Sequence, residues 1–364
     1  MTDETDFKQQ PEPTPATPPD SSATPRKHRT VVGMLLQYGV PIAISVGLCV
    51  LLFRDVDWRD MVEIVRTQCN FWWIGLAMVL TVLSHVIRAM RWRIQLQGLG
   101  IKVPLFAVIL SIFGTYAVNL IFPRLGELWR TGYISRRQHV PFDRVFGSMI
   151  GDRLADTITV GLLVLAALLI AGKAMVDSLG QNREMYLRLM ELLQSPWLWV
   201  GLIVIAVAAI VGWRLLARSA LGRKIKEFCI GIWKGFAVIA TMPGKGRWLL
   251  LSVLLWGCYF LQLYVCFFAF PQTREVALGC GVQAVFLCWV FSSVAMGVPS
   301  NGGIGPWQWA VIFGLSLYSS QVPGLTHEFS ATFANLVMGC NTALLILLGL
   351  FTFICIAIQK RHAN

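Results

Sequence analysis

The sequence predicts an all-α, polytopic integral membrane protein, and three observations predict it. Hydrophobic residues fill 56% of the 364 positions and charged residues only 14%. Several apolar runs reach the roughly 20 residues that a helix needs to cross a bilayer. The basic residues cluster at the ends of those runs, as the positive-inside rule requires. The expectation is about seven full transmembrane helices plus two broken or re-entrant helical elements, with the two halves around them as candidates for pseudo-symmetry. Residues 1–29 form an N-terminal tail, 30–358 the membrane domain and 359–364 a short basic tail.

The formal net charge of +12 belongs to the membrane body, because the first 29 residues hold five acids against four bases. In a soluble protein such a balance would point to nucleic acid. Here the bases flank hydrophobic segments, so topology and anionic headgroups account for them and no nucleic-acid partner is expected. Seven of the nine cysteines, from Cys49 to Cys355, lie in apolar runs without a CxxC pair, which argues against disulfides or a metal site. No cofactor is implied.

The Pro-, Thr- and Ser-rich tail is too polar to order itself. Span one is Val31–Phe53, and Arg26, Lys27 and Arg29 before it favour a cytoplasmic N-terminus. Its length and position do not fit a cleavable signal peptide. Charges alternate with Val56, Trp58, Met61, Ile64 and Val65 ahead of Asn70, which suits either a short amphipathic surface helix or a plain connector. Span two enters at Phe71-Trp72-Trp73 and runs to about Met90, with His85, Arg88, Arg91 and Arg93 marking a cytoplasmic end. His85 and Arg88, one turn apart, either meet a common headgroup or snorkel to the interface.

From Pro104 the chain is apolar to Phe122, and then comes Pro123-Arg124-Leu125-Gly126-Glu127-Leu128-Trp129-Arg130. Arg136, Arg137, His139 and Arg144 make the next loop basic, hence cytoplasmic, which a simple crossing from Lys102 contradicts. A hairpin turning near Pro123 and Gly126 resolves the conflict, and such backbone survives at membrane depth where protein or a wet cavity satisfies it. A full crossing that violates the charge rule is the alternative. Span four is about Phe146–Ala171, followed by an exterior connector with some helix over 172–195, span five from Pro196 to about Leu216, and a basic loop. Span six is about Trp248–Phe270 and span seven about Val276–Val298. A second interruption, Pro299-Ser300-Asn301-Gly302-Gly303-Ile304-Gly305-Pro306-Trp307, leads into a short apolar limb ending at Tyr318. The last span, about Ala331–Ile358, ends in Lys360-Arg361-His362 and places the C-terminus in the cytoplasm.

Ionisable residues inside such segments mark function by default, because charge in lipid is expensive. Arg124, Arg130 and Arg153 balance Glu127, Asp152 and Asp156, and Asp152 and Asp156 share a helix face. The network either pins the hairpin to span four or lets the arginines grip a lipid phosphate, for which a planar guanidinium fork is suited. Ser300, Asn301, Gly302 and Gly303 either form a packing turn or add backbone N–H donors in an anion-binding nest. Paired interruptions in the two halves of a chain are a sequence pointer to a transport site.

Asn119-Leu120-Ile121-Phe122-Pro123-Arg124-Leu125-Gly126-Glu127 with Arg130, Gly151-Asp152-Arg153-Leu154-Ala155-Asp156, and the Pro299–Pro306 turn together resemble the membrane region of bacterial lysylphosphatidylglycerol synthases, which also occurs alone in flippase-like proteins. The family's Asn-Pro-Arg-Gly-Glu pattern falls on Asn119, Pro123, Arg124, Gly126 and Glu127, and its Arg-x-x-Asp pattern on Arg153 and Asp156. A Glu-Arg pair commoner in the family reads Asp152-Arg153 here, and its Pro-Gly turn reads Pro299-Ser300-Asn301-Gly302. The resemblance implies a bacterial cytoplasmic (inner) membrane protein that moves a lipid between leaflets. It also implies a stand-alone member, without the aminoacyl-transferase domain, that does not itself make lysyl-lipid.

The expected ligand is a phospholipid or glycolipid of the surrounding bilayer, with a second copy of the chain or a lipid-synthesising enzyme as candidate partners. A membrane-embedded lipid transferase and a non-transporting scaffold are the alternatives. Gly151-Asp152 lacks the first glycine of a Gly-x-Gly-Asp protease site, and Asp152 and Asp156 fall short of the usual Mg²⁺ ligand set. Pro243-Gly244-Lys245-Gly246-Arg247 lacks phosphate-loop spacing.

Overall fold

A computed structural model describes residues 58–181, 242–298 and 300–361, together with positions 191, 195, 196, 200 and 204. The N-terminal tail, span one, most of span five and the basic loop after it lie outside the described residues. The described chain contains ten α-helices and no strand. They are α1 (Trp58–Gln68), α2 (Phe71–Gly98), α3 (Leu105–Ile121), α4 (Leu125–Gln138), α5 (Phe142–Gln181), α6 (Lys245–Cys266), α7 (Pro271–Gly279), α8 (Val282–Ala295), α9 (Pro306–Ser316) and α10 (His327–Arg361).

Among the described residues, Phe71–Gly98, Phe142–Ile170, Lys245–Ala269 and His327–Gln359 are long and apolar enough to cross a membrane. The outward faces of α5 and α10 carry Leu162, Leu165, Leu169, Leu347, Leu350 and Ile354 uncovered, with Leu169 79% exposed. Acyl chains, not water, are the solvent for such a surface.

Span seven is corrected. The apolar run read as Val276–Val298 is two helices, α7 and α8, meeting at 112°. The break falls at Gly281, whose φ of +84° is a left-handed conformation that residues with a Cβ rarely adopt. Hydropathy measures the transfer energy of a run and is insensitive to one such residue. Span two is also longer than expected, continuing about two turns beyond Met90 to Gly98. The segment before Asn70 is helical, and Asn70 caps α2 by accepting from the Trp72 N–H at 3.1 Å.

Both interruptions are helical hairpins. In the first, α3 and α4 run antiparallel through Phe122–Arg124, with Gly126 set against Thr115 and Gly114 against Trp129. A methyl group on Gly126 would sit 2.1 Å from the Thr115 carbonyl oxygen, so only glycine lets the limbs approach this closely. The Asn119 amide oxygen accepts from the Gly126 N–H at 2.8 Å and ties the turn to α3. In the second, α8 and α9 are antiparallel, with Gly314 packed on Cys288. Its turn relies on positive φ at Gly302, Gly303 and Gly305, and Pro306 starts α9 where a missing N–H costs nothing.

The packing exchanges partners between the halves. Helix α5, which follows the first hairpin, packs on α4 of that hairpin and on α8 of the second. Helix α10, which follows the second, packs on α9 and on α3 of the first. Helix α2 lies against α6 along its length and also touches α3, α5 and α10. Each half thus has the order of a hairpin followed by a long helix. A large apolar core joins α2, α6, α7, α8, α9 and α10, and a smaller one built on Trp92, Leu96, Ile112, Ile134 and Met149 joins α2 to α5 and the first hairpin.

Candidate functional site

A cavity of about 710 Å³ opens where the two hairpin tips meet α2, α5, α6 and α10. Its wall includes Arg124 and Glu127 of the first hairpin and Met296, Gly297, Gly302 and Trp307 of the second. Arg124 donates to the Gly297 carbonyl, and Gly302 leaves room for the Leu120 side chain. The two tips therefore touch directly. Arg124 itself sits at φ +61°, a conformation unusual for a residue with a side chain.

A buried ion cluster begins in this wall, at Arg88 and Asp156, and extends behind it. Arg88 and Arg91 of α2, three residues apart, share a face with each other, as do Asp152 and Asp156 of α5. Arg88 pairs with Asp156 at 2.9 Å and Asp152 at 3.4 Å, while Arg91 pairs with Asp152 at 2.5 Å and Asp156 at 2.8 Å. Arg88 Nε also donates to the Tyr259 hydroxyl at 3.2 Å. Arg130 is fully buried, lies over the Trp92 ring at 4.5 Å and approaches Asp152 at 3.5 Å, but none of its three nitrogens makes a hydrogen bond. Nearer the cavity, Arg153 donates to Glu127 at 2.6 Å.

Of the residues singled out from sequence, His85, Arg88, Arg124, Glu127, Arg153, Asp156 and Gly302 line the cavity. Asn119, Arg130, Asp152, Ser300, Asn301 and Gly303 do not. Asn119 shapes the first turn, Arg130 and Asp152 lie in the buried cluster, and Gly303 backs onto Met296. Ile304 and Gly305 donate their N–H groups inside the second turn, to the Asn301 carbonyl at 3.1 Å and the Gln308 amide oxygen at 2.7 Å. Neither of these two is available to an anion.

Three expectations change. Snorkelling of His85 and Arg88 is set aside, since they are 5% and 4% exposed. The carboxylates of Asp152 and Asp156 pair chiefly with Arg88 and Arg91, so Arg91 is an ion-cluster residue as well as a topology marker. The equal balance of three bases and three acids becomes five guanidinium groups against three carboxylates. In the sequence Arg91 carried only a topology signal, because its spacing from Arg88 shows that the two share a face and not that the face meets Asp152 and Asp156. Tyr259, Gln262 and Asn341, which also line the cavity, carried a plainer signal as polar residues inside apolar helices.

Ten helices with lipid-facing flanks, two tip-to-tip hairpins and a charged cavity between them define a polytopic α-helical membrane protein with an internal polar site. Residues 39–349 match the family described as the lysylphosphatidylglycerol synthase TM region, and the chain belongs to that family. A UPF0104 membrane protein of Methanocaldococcus jannaschii is 22% identical over 265 residues, which cover 67% of this chain and 75% of that protein.

Proposed function

We propose that the protein is a lipid translocase that takes the phosphate-bearing headgroup of a phospholipid or glycolipid into the cavity between its hairpin tips. The observation that carries this reading is the position of Arg88, Arg124 and Arg153 in the wall of a 710 Å³ cavity within an apolar helical body. A guanidinium offers parallel donors to phosphate oxygens, and the low dielectric strengthens that attraction. Trp and Met side chains in the same wall, Trp256, Trp289, Trp307, Met296 and Met338, suit the glycerol and upper acyl region. Family membership supports the reading at the level of the fold.

Purified protein in vesicles carrying headgroup-labelled lipids provides the test. Transbilayer movement above that of empty vesicles, reduced at least tenfold by Arg153→Ala, is the expected result. Movement that equals the protein-free rate for every phosphate lipid refutes it. A covalently altered lipid in the same vesicles identifies a transferase instead.

A further inference from the structure

The cavity and the cluster behind it do not balance. Arg88, Arg91, Arg124, Arg130 and Arg153 face only Glu127, Asp152 and Asp156, a surplus of two positive charges among the described residues. Among the described residues, no other Asp or Glu lines the cavity. Asp152 alone is shared by three guanidinium groups, and Arg130 is left without a hydrogen bond. The two arginines that open most to the cavity are the ones least committed elsewhere. Arg124 is exposed and holds only a neutral carbonyl, and the Arg153 side chain is 37% exposed beside one carboxylate.

Unpaired charge inside a membrane protein is costly, and an anion arriving there is bound in proportion to the charge it supplies. We propose that the cavity selects a lipid whose phosphate headgroup carries two negative charges, a phosphomonoester or diphosphate, over singly charged phosphodiesters and over cationic aminoacylated lipids. The inference rests on the translocase reading and deepens it by naming the headgroup class. A dianion placed between Arg124 and Arg153 brings the site to neutrality. A phosphodiester leaves one charge uncompensated, and an aminoacylated headgroup adds to the surplus.

The experiment uses the full chain in phosphatidylcholine nanodiscs. Bound phosphatidic acid, a prenyl diphosphate, phosphatidylglycerol and lysyl-phosphatidylglycerol are quantified by native mass spectrometry at pH 8.5 and pH 5. At pH 8.5 phosphatidic acid or the diphosphate binds at least tenfold more tightly than phosphatidylglycerol. For phosphatidic acid the ratio falls to within about threefold at pH 5, below the second ionisation of a phosphomonoester near pH 6. The ratio is what is read, because His85, Tyr116, Glu127, Asp156 and Tyr259 of the same wall face either lipid alike. Arg124→Gln lowers the pH 8.5 preference at least threefold.

Equal or tighter binding of phosphatidylglycerol or lysyl-phosphatidylglycerol at pH 8.5 overturns the proposal. Competition by inorganic phosphate as effective as that by phosphatidic acid overturns the assignment to a lipid. Transbilayer movement is scored separately. Movement of phosphatidylglycerol without a monoester preference refutes the headgroup class and leaves the translocase reading intact, whereas a preference without movement does the reverse.

Discussion

Replacing Asp152 by Asn tests whether the buried cluster holds the helices together. The Asp152 carboxylate is 0% exposed and meets Arg88 at 3.4 Å, Arg91 at 2.5 Å and Arg130 at 3.5 Å. Removing one partner of a buried pair costs roughly 3–5 kcal/mol, because it strands the opposite charge. Asp156 still reaches Arg88 and Arg91, so the loss falls at the lower end, about 3 kcal/mol. At about 2–4 °C per kcal/mol this lowers the melting midpoint in detergent by on the order of 10 °C. Arg130 retains no carboxylate contact in this variant, so adding Arg130→Met restores about half of the loss. Glu127→Gln costs no more than about 1 kcal/mol, because its partner Arg153 has a 37% exposed side chain. An Asp152→Asn protein that melts within about 3 °C of the wild type refutes the reasoning.

Two further outcomes follow from the hairpins. Gly126→Ala drives a methyl group against the Thr115 carbonyl and lowers stability by about 1–3 kcal/mol, whereas Gly132→Ala, with open space around it inside α4, holds or raises the midpoint; thermal unfolding monitored by intrinsic fluorescence distinguishes them. Arg124→Gly relieves a left-handed backbone position worth about 1 kcal/mol, so the melting point holds or rises, while the lost contact to Gly297 and the lost cation reduce lipid translocation at least tenfold.

The hairpins were legible because their signals are local. Pro123 with Gly126, and the glycines from 302 to 305, break apolar runs in ways that few other structures tolerate, and the bases Arg136 and Arg137, which the structure places in the last turn of α4 and not in a loop, pointed to the first return. The two long helices α5 and α10 were legible from hydropathy. Ion-pair partners were not, because charge spacing along a helix says which residues share a face and not which helix that face meets. Glu127 and Arg130 share a face of α4, yet Glu127 pairs with Arg153 and Arg130 approaches Asp152. Arg91 shows the same limit from the other side, since its position near a helix end looked like a topology signal. The bend between α7 and α8 was hidden because a single glycine conformation decides it.

The strengths of these contacts say which parts of the fold can move. Arg88 and Arg91 join α2 to α5 through pairs at most 12% exposed, and separating them costs several kcal/mol. The contacts facing the cavity are weaker: a partly buried Arg153–Glu127 pair within one half, and an Arg124–Gly297 bond to a neutral carbonyl between the hairpin tips. In the proposed translocation, α2 and α5 are therefore expected to move as one body, with the tips parting before that pair does. A phosphate entering between Arg124 and Arg153 competes with the Gly297 carbonyl and Glu127 for the same guanidinium donors. In the proposed translocation, headgroup binding thus weakens the contact that closes the tips and leaves the buried cluster intact.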